Sequence, residues 1–189
     1  TYGLMGWHQE QRQINRQLRG RERFLRDHRL LDPLTQLYGL DYLYAVLSRE
    51  LELHQQQQLP LSILMLDIDQ FAAFNRQHGT AAGDNYLISL AELLSSQMRE
   101  SDVLCRYAGD RFVAVLVHTE QAAAGIIALH LQQQLQRLTA AGQTLHCSVA
   151  CIQATQTQAT AVLKQAELAL RASKLRGARP VYQPGHGNL

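Results

Sequence analysis

Three carboxylates in this chain stand where they could do chemistry. Asp67 and Asp69 close a nearly all-apolar run at 59–68, and Asp110 lies between two further apolar runs, 103–107 and 112–117. A run bounded by Pro60 and by acids reads as a buried central strand. Gly109-Asp110 between hydrophobic runs signals a hairpin. If the hairpin's first strand pairs with the 59–68 strand, the three acids converge at one sheet edge. Converging oxygen ligands suit Mg2+, which takes a few carboxylates and completes its shell with water and phosphate. Such an ion can neutralise a triphosphate and activate an attacking hydroxyl. On residue types alone, the alternative is a set of solvated loop acids.

The elements that must position these residues follow from apolar spacing. A helix at 41–56, capped by Asp41, carries Leu43, Val46, Leu47, Leu51 and Leu53 on one side. A short helix or turn at 70–77 leads into a loop through Gly79 and Gly83. An amphipathic helix follows at 84–98 through Leu87, Leu90, Leu93 and Leu94. After the hairpin come a long helix at 119–139, a strand at 144–152, a helix at 159–175 and a short final strand at 180–182. This order predicts an α+β fold, a central and mostly antiparallel sheet with helices on one face, in a ferredoxin-like arrangement.

Composition narrows the class. Forty-six per cent hydrophobic residues and four prolines among 189 fit a packed domain with an appendage. The formal charge of +2 is too small to suggest nucleic-acid binding. Residues 1–31 hold seven Arg against Glu10, Glu22 and Asp27, a net of +4, which leaves −2 on the rest. Ile14, Leu18 and Leu25 share a seam interrupted by Arg21 and His28. Residues 8–30 therefore read either as a short coiled coil or as a solvated connecting helix. Three domain segments result: a linker or signalling helix at 1–31, the folded domain at 32–183 and a tail at 184–189. Cys105, Cys147 and Cys151 lie in apolar stretches without a CxxC, as expected of buried thiols in a reducing cytosol. The eight histidines lack zinc spacing. No run of about 18 apolar residues occurs. The chain starts with Thr, so a piece of a longer protein is expected. Its start, Tyr2 to Trp7 before the arginines, reads as the cytoplasmic edge of a spanning helix or as a linker from a soluble sensor.

Six motifs, in order, resemble the GGDEF family. Asp32-Pro33-Leu34-Thr35 matches its leading motif, and Leu66-Asp67-Ile68-Asp69-Gln70-Phe71 is similar to its LDIDxF strand end. Asn75 with Gly83-Asp84 matches its N…GD pair, and Arg106-Tyr107-Ala108-Gly109-Asp110-Arg111-Phe112 is similar to its RYGG(D/E)EF hairpin. Ser148-Val149-Ala150 and the segment 166–174 stand where its last two motifs would. The resemblance covers about residues 30–183. It implies a nucleotidyl-cyclase palm in which two domains each hold one GTP and condense them into cyclic di-GMP. It also implies that Asp67, the Ile68 carbonyl and Asp110 bind metal, with Mg2+ present if the GTP site is retained. Asn75 and Asp84 would bond the guanine edge, Gly109 would lie along the nucleotide, and Lys174 would meet phosphate.

The departures from that pattern carry a second expectation. Arg111 stands where the family has an acid, a swing of two charges, and would pair with Asp110 or with phosphate. Ala108 replaces a glycine and would restrict φ > 0. Ala72 replaces a lysine, and Gly177-Ala178-Arg179 lacks a second basic residue. Losing one transition-state donor typically costs about 10²–10³ in rate, so negligible cyclase activity is expected. Arg99-Glu100-Ser101-Asp102 has the form RxxD, at a spacing from Ala108 that resembles the family's product-binding site. Arg can clamp a guanine edge or phosphate with its planar fork, and Asp can accept from guanine N1 and N2. A surface ion pair is the plain alternative. The expectation is thus a degenerate domain that binds cyclic di-GMP at Arg99 and Asp102, paired as a homodimer through its arm or through the nucleotide, below an upstream sensor. An active cyclase and a GTP-binding or dimerising module are the alternatives.

Overall fold

Eight consecutive buried residues, Leu61–Ile68, form the strand on which everything else is hung. A segment apolar on both faces is stable only between two packed layers. In the computed structural model, residues 30–176 and the backbone of 181–183 are described. The tail, the segment 177–179 and the expected arm helix with its dimer seam, except Leu30, lie outside the described residues. In chain order the elements are α1 (Leu40–Gln57), β1 (Leu61–Ile68), α2 (Phe71–His78), α3 (Thr80–Gln97), β2 (Val103–Ala108) and β3 (Arg111–Val117). There follow α4 (Gln121–Leu135), β4 (Thr139–Ala140), β5 (Gln143–Thr144), β6 (Cys147–Gln153), α5 (Ala159–Arg176) and β7 (Val181–Gln183).

The main sheet has the order β2-β3-β1-β6-β7, antiparallel except for the β6–β7 pair. The α+β expectation holds, with two corrections. It is β3, the hairpin's second strand, that pairs with β1. Five consecutive residues of β3 are buried, whereas β2 ends in the half-exposed Arg106 and Tyr107 and the exposed Ala108. The strand apolar on both faces takes the inner place.

The helices also cover both faces of the sheet. Leu64, Leu66 and Ile68 of β1 join one core cluster with residues of α2, α3 and α4. Leu61, Ile63 and Met65, the alternate set, join another with residues of α1 and α5. The period of two along a strand buried at every position requires both layers.

Smaller differences have local causes. The N-cap of α1 is Gly39, without a side-chain bond; Asp41 sits instead in the first turn, where its charge suits the helix dipole. Gly83 lies inside α3, which begins at Thr80 just after Gly79, φ 87°. The helix expected to reach residue 139 stops at Leu135, and β4–β5 turns through Ala141 (φ 49°) and Gly142 (φ 76°). Cys105, Cys147 and Cys151 are buried free thiols, as expected. Burial pushes the first two up to about 12 and the third to about 11, so none is a thiolate nucleophile at neutral pH. Among the described residues no helix is long and apolar enough to cross a membrane.

Asp32 ties the leading turn to the hairpin. Its Oδ2 accepts from the Thr35 amide at 2.8 Å, the Thr35 hydroxyl at 2.6 Å and Arg106 Nη1 at 2.9 Å. Burial pushes its carboxyl up, but the Thr35 bonds and Arg106 outweigh that and hold it below the usual range. A depressed carboxylate contributes stability above its unfolded value, about 3.9, and loses it as pH falls through the folded one. Asp32→Asn is expected to be less stable by about 1–2 kcal/mol at neutral pH. The gap should close below about pH 4, as read by urea unfolding across pH 3 to 7.

Candidate functional site

Asp67, the last but one residue of β1, stands directly opposite Arg111, the first residue of β3, in the sheet register. Facing residues in adjacent strands project to the same side, with Cβ atoms about 5 Å apart, so the pairing brings the two side chains together. Arg111 Nη2 and Nε donate to Asp67 Oδ2 at 3.0 and 3.3 Å. Lys174 Nζ reaches the same oxygen at 3.1 Å, on a carboxylate whose side chain is 5% exposed. The remaining nitrogen of Arg111, Nη1, is 3.6 Å from Glu167 Oε1. Tyr107 donates its hydroxyl to that same Glu167 oxygen at 2.6 Å, and its ring centroid lies 5.9 Å from the guanidinium carbon. The expected partner of Arg111 was Asp110 or a phosphate; the structure gives it Asp67 and Glu167 because β3, not β2, lies beside β1.

The other two acids are differently engaged. Asp69 accepts the Ser148 hydroxyl at 2.9 Å on each oxygen, pairs with the His146 ring and lies 3.5 Å from Lys174. Asp110 touches the strand end through its backbone: its carbonyl accepts the Ile68 amide at 3.2 Å. Burial, then the Asp67 charge, pushes its carboxyl above the usual range. The acids lie at one edge, although the strand pairing that was to bring them there is not the one formed; among the described residues no three His, Cys, Asp or Glu form a metal-holding group. A divalent ion at Asp67 has to displace both Arg111 and Lys174. The residues as they stand do not fit Mg2+.

The hairpin tip is firm. Arg106 donates to the Gly109 carbonyl through Nη2 at 2.6 Å and Nε at 3.1 Å, while Nη1 holds Asp32. Ala108 is an exposed strand residue and not among the positive-φ positions. The expected backbone restriction there does not arise, and a methyl group at 108 can act only on what approaches it. Nothing lies within 4 Å of a Cβ built on Gly109.

Asn75 on α2 packs its carboxamide against Gly83 on α3. Asn75 Oδ1 is buried without a hydrogen-bond partner. A Cβ at Gly83 would overlap that oxygen and stand 3.0 Å from Phe71 Cζ. Gly83 is therefore there for close approach, inside a helix and not in the expected loop. Asp84, next along, is exposed, and so is Ala72 at the start of α2.

Arg99 and Asp102 face each other in the turn between α3 and β2. Asp102 Oδ2 accepts from the Arg99 amide at 2.9 Å and Nε at 3.1 Å, and Oδ1 from Nη2 at 2.9 Å and the Val117 amide at 3.3 Å. Nη2 also reaches the Val117 carbonyl at 2.8 Å and Thr119 Oγ1 at 2.6 Å. The Asp102 side chain is 2% exposed and that of Arg99 53%. Sequence reading missed the part of Glu167 and Tyr107 at Arg111. Placing β3 beside β1 points to Asp67–Arg111, but nothing local announces Glu167, which arrives from α5.

Comparison with known proteins places this geometry. Residues 29–180 match the family described as "Diguanylate cyclase, GGDEF domain". Diguanylate cyclase DosC of Escherichia coli (strain K12) is 32% identical over 91 residues, 48% of this chain and 20% of that protein. Diguanylate cyclase A of Treponema denticola is 28% identical over 159 residues, 79% of this chain and 43% of that protein. The chain thus spans less than half the length of these curated relatives. The coiled coil and GGDEF domain of DgcB from Caulobacter crescentus, solved in complex with c-di-GMP, superposes with TM-score 0.74 at 19% identity, over 94% of this chain and 98% of that one. The fold is that of a nucleotidyl-cyclase palm, and the chain belongs to the GGDEF family.

Proposed function

We propose that this chain is a regulatory domain of cyclic di-GMP signalling that binds cyclic di-GMP at Arg99 and has lost cyclase chemistry. The observation that carries this reading is the Arg111–Asp67 ion pair at 3.0 Å, which puts a fixed cation on the carboxylate a catalytic metal would need. The ligand class draws support from the DgcB domain, solved with c-di-GMP. In this reading Asp102 holds the guanidinium in place and the half-exposed Arg99 makes the contact, with phosphate or with a guanine Hoogsteen edge. A dinucleotide bridging two copies, or the domain and its arm, would bias arm pairing and so report occupancy on the cytoplasmic side of the signalling protein. Calorimetry with cyclic di-GMP tests it. Micromolar binding that disappears in Arg99→Ala is expected; no heat with either protein sinks the idea.

A second reading is favoured by one observation, the unpartnered Asn75 Oδ1 beside Gly83. A buried acceptor without a donor is costly unless a ligand completes it, and guanine presents N1 and N2 donors. This version is a guanine-nucleotide-binding module, whose affinity Asn75→Ala removes and Arg99→Ala leaves alone.

A further inference from the structure

Arg111 does more at the hairpin than subtract an acid. Its guanidinium is held on three sides, by Asp67, by Glu167 and by the Tyr107 ring. The Asp67 contact is written into the strand register. Lys174 is turned to Asp67 at 3.1 Å and Asp69 at 3.5 Å. Both cations of this edge therefore serve carboxylates of the protein. Asp67, Asp69, Asp110 and Glu167 set four negative charges against the two positive ones, a net of −2 before any ligand arrives. At position 72, on the adjoining first turn of α2, the side chain is Ala, without charge.

An unneutralised triphosphate is the wrong ligand for such an edge. Without a divalent ion its charge is about −4, and each further phosphate meets a negative field. The guanine end has different needs. Asn75 Oδ1, packed against Gly83 and without a donor of its own, calls for a hydrogen-bond donor and not for charge. We infer that Arg111 is a tethered replacement for a metal ion at Asp67, so that the Asn75–Gly83 cradle takes guanine ligands of low charge, of the guanosine or guanosine monophosphate class, without divalent cation. This rests on the second reading above, that the cradle binds guanine.

The test is calorimetry on the full chain with guanosine, GMP, GDP and GTP, each in excess Mg2+ and in EDTA. Affinities should agree within about twofold between the two buffers, and GMP should bind at least about tenfold tighter than GTP. GTP binding tighter than GMP in Mg2+, and weakened in EDTA, overturns the inference while leaving the cradle reading intact. No binding of any of the four, with Asn75→Ala indistinguishable from the parent chain, overturns the cradle reading and the inference with it. Electron paramagnetic resonance of Mn2+ reads the metal half without nucleotide. The free-ion signal should be unchanged by the parent chain and depleted by Arg111→Glu, with Arg111→Ala as the second variant if Arg111→Glu does not fold. Stoichiometric Mn2+ uptake by the parent chain, or none by either folded variant, overturns the role given to Arg111.

Discussion

Arg111→Glu combined with Ala108→Gly is expected to raise cyclic di-GMP production from GTP and Mg2+ by about 10²–10³-fold over the parent chain. Most of the gain should come from position 111. Removing the guanidinium frees Asp67 Oδ2 of the contacts at 3.0 and 3.3 Å, and the new carboxylate lowers the local charge by two units. Both changes favour a divalent ion at the strand end. Ala108 contributes less, because its φ is ordinary and the glycine relieves only contact with a ligand. Ala72 limits the recovery, since no lysine stands there to meet phosphate, and Ala72→Lys should add a further increment. The assay is product quantified by chromatography after incubation with GTP. A parent chain as fast as the double variant overturns the reading of a lost active site and makes the domain a working cyclase.

The parts of this fold that could be read from the chain are those where local pattern and tertiary demand agree. Leu43, Leu47 and Leu51 repeat at helical spacing and are the buried residues of α1. The run ending at Asp67 is nearly all apolar and becomes the central strand, buried at every position. The misplaced features are those decided by partners far away in sequence. Which hairpin strand pairs with β1 depends on β3 being apolar from Phe112 to Val117, against the polar end of β2; the pattern is present, but the two strands are nearly equal in length. Gly83 resembles a loop residue until Asn75 and Phe71 are packed against it. The hairpin β4–β5, two residues a side, has no apolar alternation to announce it. At the site, residue types pointed to Asp67, and the family resemblance to Arg111 and Lys174, but who neutralises whom is decided by register and by the arrival of α5.

The RxxD turn gives the second large effect, and it separates a residue that binds from one that supports. Asp102→Ala is expected to cost about 2–3 kcal/mol of folding stability, and Arg99→Ala about 1 kcal/mol or less. The asymmetry follows from burial: the Asp102 side chain is 2% exposed and accepts four hydrogen bonds, two of them from the backbone amides of Arg99 and Val117. Taking it away leaves those amides and an arginine without their acceptor. Losing the Arg99 side chain leaves Asp102 with both amides, and water can replace a guanidinium that is 53% exposed. Denaturant unfolding measures the two costs, and calorimetry with cyclic di-GMP at a temperature where both variants are folded measures binding. Arg99→Ala should abolish binding, and Arg99→Lys should not restore it, because an ammonium lacks the planar fork. Asp102→Asn should weaken binding only as far as it loosens Arg99. If Asp102→Asn instead abolishes binding with stability unchanged, Asp102 itself contacts the ligand and the turn must open to receive it.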